Sequence, residues 1–149
     1  KVINNTESKV LKDAVIQGKI KPKQAESVKD LDEETQRSAI HISETVQKNL
    51  DQTMKTMNKR IEEKPEKKEE MLRDRQFVNL LEDNILDTAN QLTAIKGTLK
   101  QINKENLDEN FDQNMKKRLI EDFNELVESF KDLDVLVDKQ KKRWGVSNG

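Results

Sequence analysis

The chain has 149 residues, of which 38% are charged and 32% hydrophobic, with one His, no Cys and a formal net charge of −1. A typical globular domain is about one quarter charged and nearly half apolar, so this composition is too polar for a thick core. The lack of Cys excludes disulfides and thiolate metal sites, and the balanced charge argues against a uniformly basic nucleic-acid-binding protein. We expect one helical domain over residues 1–149, not an enzyme, with no cofactor and no metal site.

The sequence also limits where the protein resides. Its longest apolar runs have only two or three residues, so we expect no membrane span. No secretory leader is visible, and we favour the cytoplasm, with a secreted protein as the alternative. The chain starts at Lys1 rather than Met, and we expect a processed chain or part of a longer one.

The N-terminal region, residues 6–31, is predicted to form a short helical hairpin. Asn5 or Thr6 can cap a first helix from Glu7 to Gln17. Pro22 suits the first turn of a second helix that runs to about Asp30. Because the hairpin contains few apolar residues, we expect it to dock weakly and to be the least protected part of the fold.

Residues 33–143 are predicted to form three long antiparallel helices. Asp32 caps the first, Pro65 interrupts the chain after it, and Gly145 follows the last. Apolar residues at spacings of three and four define a seam along each helix. The seams are Ile42, Val46, Leu50, Met54, Met57 and Ile61; Val78, Leu81, Ile85, Ala89, Leu92, Ile95, Leu99 and Ile102; and Phe111, Met115, Leu119, Phe123, Leu126, Phe130, Leu133 and Val137.

These seams predict an all-α, elongated three-helix bundle preceded by the hairpin. Gly97 lies within the second seam and should cost roughly 1 kcal/mol relative to Ala. Because the turns near Pro65 and Glu105 are short, we expect the seams to close within one chain. We therefore favour a monomer, with a dimer as the alternative.

Two groups of residues are candidates for contacts with a partner. Trp144 follows four cations near the C-terminus and, with Arg143, is a candidate protein anchor, because exposed Trp and Arg are frequent hot-spot residues. The alternative for Trp144 is a cap on the end of the bundle. A set of lysines in the predicted hairpin is a candidate contact for DNA or a partner: Lys12, Lys19, Lys21, Lys23 and Lys29.

Residues 14–40 carry the most specific pattern in the chain. Its positions are Gly18, Lys19, Ile20, Ala25, Leu31, Asp32, Glu34 and Gln36. The pattern resembles the segment that follows the helix-turn-helix of ParB-type partition proteins. It departs from that family at Gln24-Ala25-Glu26, where His-Ala-Arg is common, and these 149 residues contain no upstream recognition helix. The resemblance implies a DNA-associated function.

Two functions are therefore predicted. The first is a non-catalytic helical interaction module that presents charged faces to a protein partner. The alternative is a DNA-associated partition or replication accessory factor that uses the lysines of the hairpin. His41, the one imidazole in the chain, has only Glu44 one turn away and predicts no metal site.

Overall fold

The computed structural model describes residues 8–146 and contains only helices in that range. The predicted all-α fold, with three long helices and a short N-terminal helix pair, is confirmed. The elements are α1 (Lys9–Ile16), α2 (Pro22–Val28), α3 (Glu33–Glu63), a 3₁₀ turn (Pro65–Lys67), α4 (Lys68–Glu105) and α5 (Gln113–Trp144).

The chain divides into two compact units. The first comprises Lys1–Leu107 and the second Asp108–Gly149. The first unit therefore contains α1 to α4, and the second contains α5. The expectation of a single domain over residues 1–149 stays a prediction.

Local capping chemistry sets the helix boundaries. The Asp32 side chain accepts a hydrogen bond from the Thr35 backbone N–H at 2.9 Å, which confirms Asp32 as the N-cap of α3. Ser8 caps α1 in the same way, whereas the predicted caps Asn5 and Thr6 lie outside the described residues. The 3₁₀ turn that begins at Pro65 confirms the predicted break between the first two long helices.

In the first unit, α3 and α4 pack along each other as an antiparallel hairpin. Three cross-helix pairs show the register: the Thr35 side chain faces Gly97, Ser43 is hydrogen bonded to Asn90, and Asn58 to Arg75. Residues later in α3 contact residues earlier in α4, so the two helices run antiparallel. The short turn at Pro65 enforces this arrangement.

The core of the first unit lies where α1 and α2 pack on α3. The structure describes seven fully buried apolar residues, and the N-terminal hairpin supplies five of them: Leu11, Ala14, Ile20, Ala25 and Val28. The expectation of weak docking is therefore wrong. Although apolar residues are few in the hairpin, nearly all of them face the same point, and they complete a core that α3 and α4 leave open.

The predicted seam of α4 has the wrong register. Leu86, Asn90, Thr93 and Gly97 are the buried residues of α4, whereas the seam residues Leu81, Ile85 and Leu99 are exposed. The buried face carries mostly small or polar side chains, because α4 approaches α3 too closely there for a row of large side chains. The seam of α3 is instead half-buried along its whole length.

At Gly97, α4 comes into close contact with the start of α3. A Cβ atom added at Gly97 would lie 2.6 Å from Thr35 Cγ2, 2.8 Å from Thr35 Oγ1 and 3.0 Å from Leu31 Cδ1. Thr35 is buried, and its β-branched side chain has little freedom to move away. The glycine therefore permits helix contact that any other residue would prevent.

We expect Gly97→Ala to destabilise the protein, although Ala favours a helix by about 1 kcal/mol relative to Gly. The overpacking cost, about 1–3 kcal/mol, should exceed that gain. Chemical denaturation in a double-mutant cycle tests the cause. In a Thr35→Ala background the same change should be neutral or stabilising, and an unchanged penalty there would exclude this contact as its source.

Candidate interaction surfaces

The five candidate lysines all lie on the N-terminal hairpin or directly after it. Lys12 is on α1, Lys19 and Lys21 are in the connection to α2, Lys23 is on α2, and Lys29 follows it. Lys12, Lys19, Lys21 and Lys23 are exposed, and Lys29 is half-buried. The five lysines therefore lie within the short N-terminal helix pair or directly after it, and their role as contacts stays a prediction.

Carboxylates neutralise two of these lysines. Lys19 Nζ lies 3.6 Å from Glu44 Oε2 on α3, and Lys29 Nζ lies 2.8 Å from Glu26 Oε1. The hydrogen bond that the Lys29 ammonium donates to Glu26, and then the negative charge of that carboxylate, raise the pKa of Lys29. Both lysines thus have local partners, and exposed ion pairs of this kind contribute little stability.

Arg143 and Trp144 are the last two residues of α5. Trp144 is the last residue of α5 and is 66% exposed. Gly145 follows at a φ of 67°, and its N–H donates to the carbonyls of Lys141 and Lys142, which closes the helix. The exposed indole and guanidinium fit the predicted anchor, whose role as a contact stays a prediction.

Gln36, one of the positions in the ParB-like pattern, has a structural role that the sequence did not reveal. It is 4% exposed, and its Nε2 lies 3.2, 3.1 and 3.1 Å from the carbonyl oxygens of Val28, Lys29 and Leu31. Its Oε1 accepts from the Ser8 hydroxyl at 2.5 Å. One side chain of α3 therefore ties down the start of α1 and the end of α2, where helical carbonyls lack intrahelical partners.

A second buried polar group joins α2, α3 and α4. Ser43 Oγ lies 3.4 Å from Gln24 Oε1, and Asn90 Nδ2 donates to Ser43 Oγ at 3.2 Å. Asn90 Nδ2 also donates to the Leu86 carbonyl at 2.9 Å. These side chains are almost fully buried and are hydrogen bonded to one another, so they favour a single register of the three helices.

A charged cleft of about 320 Å³ lies beside the start of α3 and the last turns of α4. Asp30 and Asp32 line one part of it, and Lys100 and Lys104 another. The Thr35 side chain, its backbone N–H and, more weakly, the two lysines lower the pKa of Asp32. Glu105 also lines the cleft, so carboxylates and ammonium groups are mixed within it.

The first unit exposes an apolar row on α4. Two of its residues were predicted to lie in the buried seam. The row consists of Phe77, Leu80, Leu81 and Ile85, hereafter the α4 stripe, whose side chains are 45–66% exposed. Phe77 lies nine residues before the buried Leu86, and Leu81 nine before Asn90. Nine residues are about two and a half helical turns, so the stripe is on the side of α4 opposite the buried face.

The sequence contained a signal for this second face. Phe77 and Leu80 are large apolar residues that the predicted seam does not use. Their surplus shows that α4 is apolar on two sides. Which side would face α3 could not be read from α4 alone.

The remaining candidates add no site. His41 is exposed on α3, and residues 8–146 contain no cluster of three His, Cys, Asp or Glu side chains placed to hold a metal ion. Within the same range, every helix is too short or too polar to cross a bilayer.

Comparison with family models, with curated proteins and with solved structures finds no match to this chain. The resemblance of residues 14–40 to ParB-type partition proteins therefore stays a prediction.

Proposed function

We propose that the protein is a non-catalytic helical interaction module that binds a helical segment of a protein partner through the α4 stripe. The observation that carries this proposal is the exposure of four large apolar side chains in one row, with Phe77 66% exposed. Exposed apolar rows of this kind are typical of interaction surfaces, and aromatic residues often anchor them.

The geometry of the stripe supports a helical partner. Phe77, Leu81 and Ile85 follow one another at intervals of four, and Leu80 widens the row. This spacing presents a continuous ridge, which packs into the groove of another helix. Arg73 and Asp74 are exposed one turn before Phe77 and supply a polar rim of mixed charge.

Affinity capture from cells that produce the protein tests this proposal. We expect the double variant Phe77→Glu, Leu81→Glu to lose its main protein partner, because two carboxylates would then face the apolar surface of that partner. The matched control is Ile16→Glu, Leu107→Glu, which places the same charges on two other exposed apolar residues of the first unit.

The control should retain the partner, and both variants should keep the helical circular-dichroism signal. The purified partner should then bind the unmodified chain with a negative heat-capacity change, the mark of apolar burial. Equal capture by the stripe variant and its control would contradict a role for the α4 stripe.

The second candidate function is DNA association. Four exposed lysines on one short hairpin support it together with the ParB-like pattern: Lys12, Lys19, Lys21 and Lys23. Acidic neighbours weaken it, because Glu44 and Glu26 pair with Lys19 and Lys29.

Binding to duplex DNA at two salt concentrations separates this candidate from the first. A DNA-binding protein loses affinity steeply as salt rises, because each neutralised phosphate releases counterions. If this protein binds DNA in this way, replacing Lys19, Lys21 and Lys23 with Glu should abolish DNA binding without changing protein capture by the α4 stripe. Absence of DNA binding at low salt would eliminate this candidate.

A further inference from the structure

The second unit leaves much of its apolar surface exposed. No residue of α5, which lies wholly within the described part of the chain, is fully buried. Leu119, Leu133 and Val137 are 40–49% exposed, and Phe123, Leu126 and Phe130 are half-buried. An apolar row of this length on α5 needs an apolar partner, since a single amphipathic helix gains most of its stability from packing.

The apolar residues of α5 follow a heptad repeat. Counting in sevens, Phe123, Phe130 and Val137 occupy position a, and Leu119, Leu126 and Leu133 occupy position d. Trp144 lies seven residues after Val137 and continues position a. The seam therefore runs for about three and a half heptads and ends at the predicted anchor.

We propose that α5 pairs with the α5 of a second copy of this chain as an antiparallel two-stranded coiled coil. The seam is self-complementary when read in opposite directions, because positions a and d then face each other. Each Phe of one helix then faces a Leu of the other helix. The layers are Leu119 with Val137, Phe123 with Leu133, and Leu126 with Phe130, each occurring twice.

Charge selects this orientation over a parallel pair. Lys116 occupies position a before the apolar layers and Gln140 position d after them. An antiparallel pair places Lys116 opposite Gln140, whereas a parallel pair places Lys116 against its own copy. Val127 and Ser129 flank the centre of the antiparallel pair. Each then lies near its own copy, and neither side chain carries a charge.

Pairing would cover apolar area that α5 still exposes. Leu119, Leu133 and Val137 are 40–49% exposed, and Val127 and Leu136, which flank the seam, are 50% and 61% exposed. Phe123, Leu126 and Phe130 are already half-buried and therefore add less than full side chains would. The basic ends of the helix lie mainly at outer positions, where their repulsion is screened by salt.

Sedimentation equilibrium of the full chain tests the pairing. We expect a mass near twice the 17.4 kDa of one chain, with association strengthening as salt rises. Leu126→Glu, in the central layer, should shift the mass to that of a monomer. Val135→Glu is the matched control, because Val135 is 54% exposed and occupies an outer heptad position, and it should leave the dimer intact.

A monomer mass at every concentration would overturn the proposal, and so would a dimer that survives Leu126→Glu. A dimer that dissociates only with the change Leu81→Glu would place self-association on the α4 stripe. Failure here leaves capture of a partner by the α4 stripe untouched, because the two experiments alter different helices.

Spin labels test the orientation, since the chain has no Cys to compete for them. Asn114 and Glu128 are exposed and occupy the same outer heptad position. In the antiparallel pair, labels at Glu128→Cys should lie level with each other across the two helices, whereas labels at Asn114→Cys should be offset by about 42 Å along the axis and give a much longer distance. Equal distances at the two positions would indicate a parallel pair and contradict the proposal.

Discussion

Replacing Leu11 with Ala is expected to lower the free energy of unfolding by about 2–5 kcal/mol, the usual range for truncation of a buried Leu. The Leu11 side chain is 0% exposed and lies at the centre of the core formed by α1, α2 and α3. Urea denaturation followed by circular dichroism measures the change. A loss of that size would show that the short hairpin contributes a large part of the stability of the first unit.

The matched control for Leu11→Ala is Ile16→Ala on the same helix. Ile16 is 73% exposed, so its truncation should change the free energy of unfolding by less than about 0.5 kcal/mol. Leu92, a residue of the predicted seam, is only half-buried, and its truncation should cost less than that of Leu11. Equal losses of unfolding free energy for Leu11→Ala and Ile16→Ala would contradict a tightly docked hairpin.

Replacing Gln36 with Leu is expected to cost about 2–4 kcal/mol, even though the two side chains are similar in size. Leu cannot donate to the carbonyls of Val28, Lys29 and Leu31, and an unsatisfied buried acceptor costs about 1–3 kcal/mol. The Val28 carbonyl keeps the hydrogen bond that it accepts from the Leu31 N–H, and the other two contacts are only partly buried, so the three losses should not add fully.

The control for Gln36→Leu is Gln52→Leu, an exposed position on the same helix. It should change stability by less than about 0.5 kcal/mol. Hydrogen exchange adds a local readout, because loss of Gln36 should accelerate exchange at the end of α2 more than in the middle of α4. Uniform acceleration across the first unit would mean that Gln36 does not act as a cap.

The candidate surfaces were predictable only in part. The lysines of the hairpin and the C-terminal Arg143 and Trp144 are visible in the sequence, because charge and aromatic content are properties of single residues. The α4 stripe was hidden within an apparently regular seam. Its exposure depends on which side of α4 meets α3.

The sequence by itself determined the helices and most of their boundaries. Asp32, Pro65 and Gly145 act through local geometry, by capping, by breaking the helix or by adopting a left-handed conformation. Apolar spacing likewise predicted that the fold would contain only helices. All these signals depend on residues within one or two turns of each other.

Only the tertiary structure decided which face of each helix is buried. Gly97 was predicted to be a local cost, yet it permits the contact of α4 with Thr35, which lies 62 positions earlier in the chain. Gln36 joins α1 and α2 through hydrogen bonds that no periodicity encodes. Such pairings depend on the fit of distant surfaces in space, whereas apolar spacing along one helix describes that helix alone.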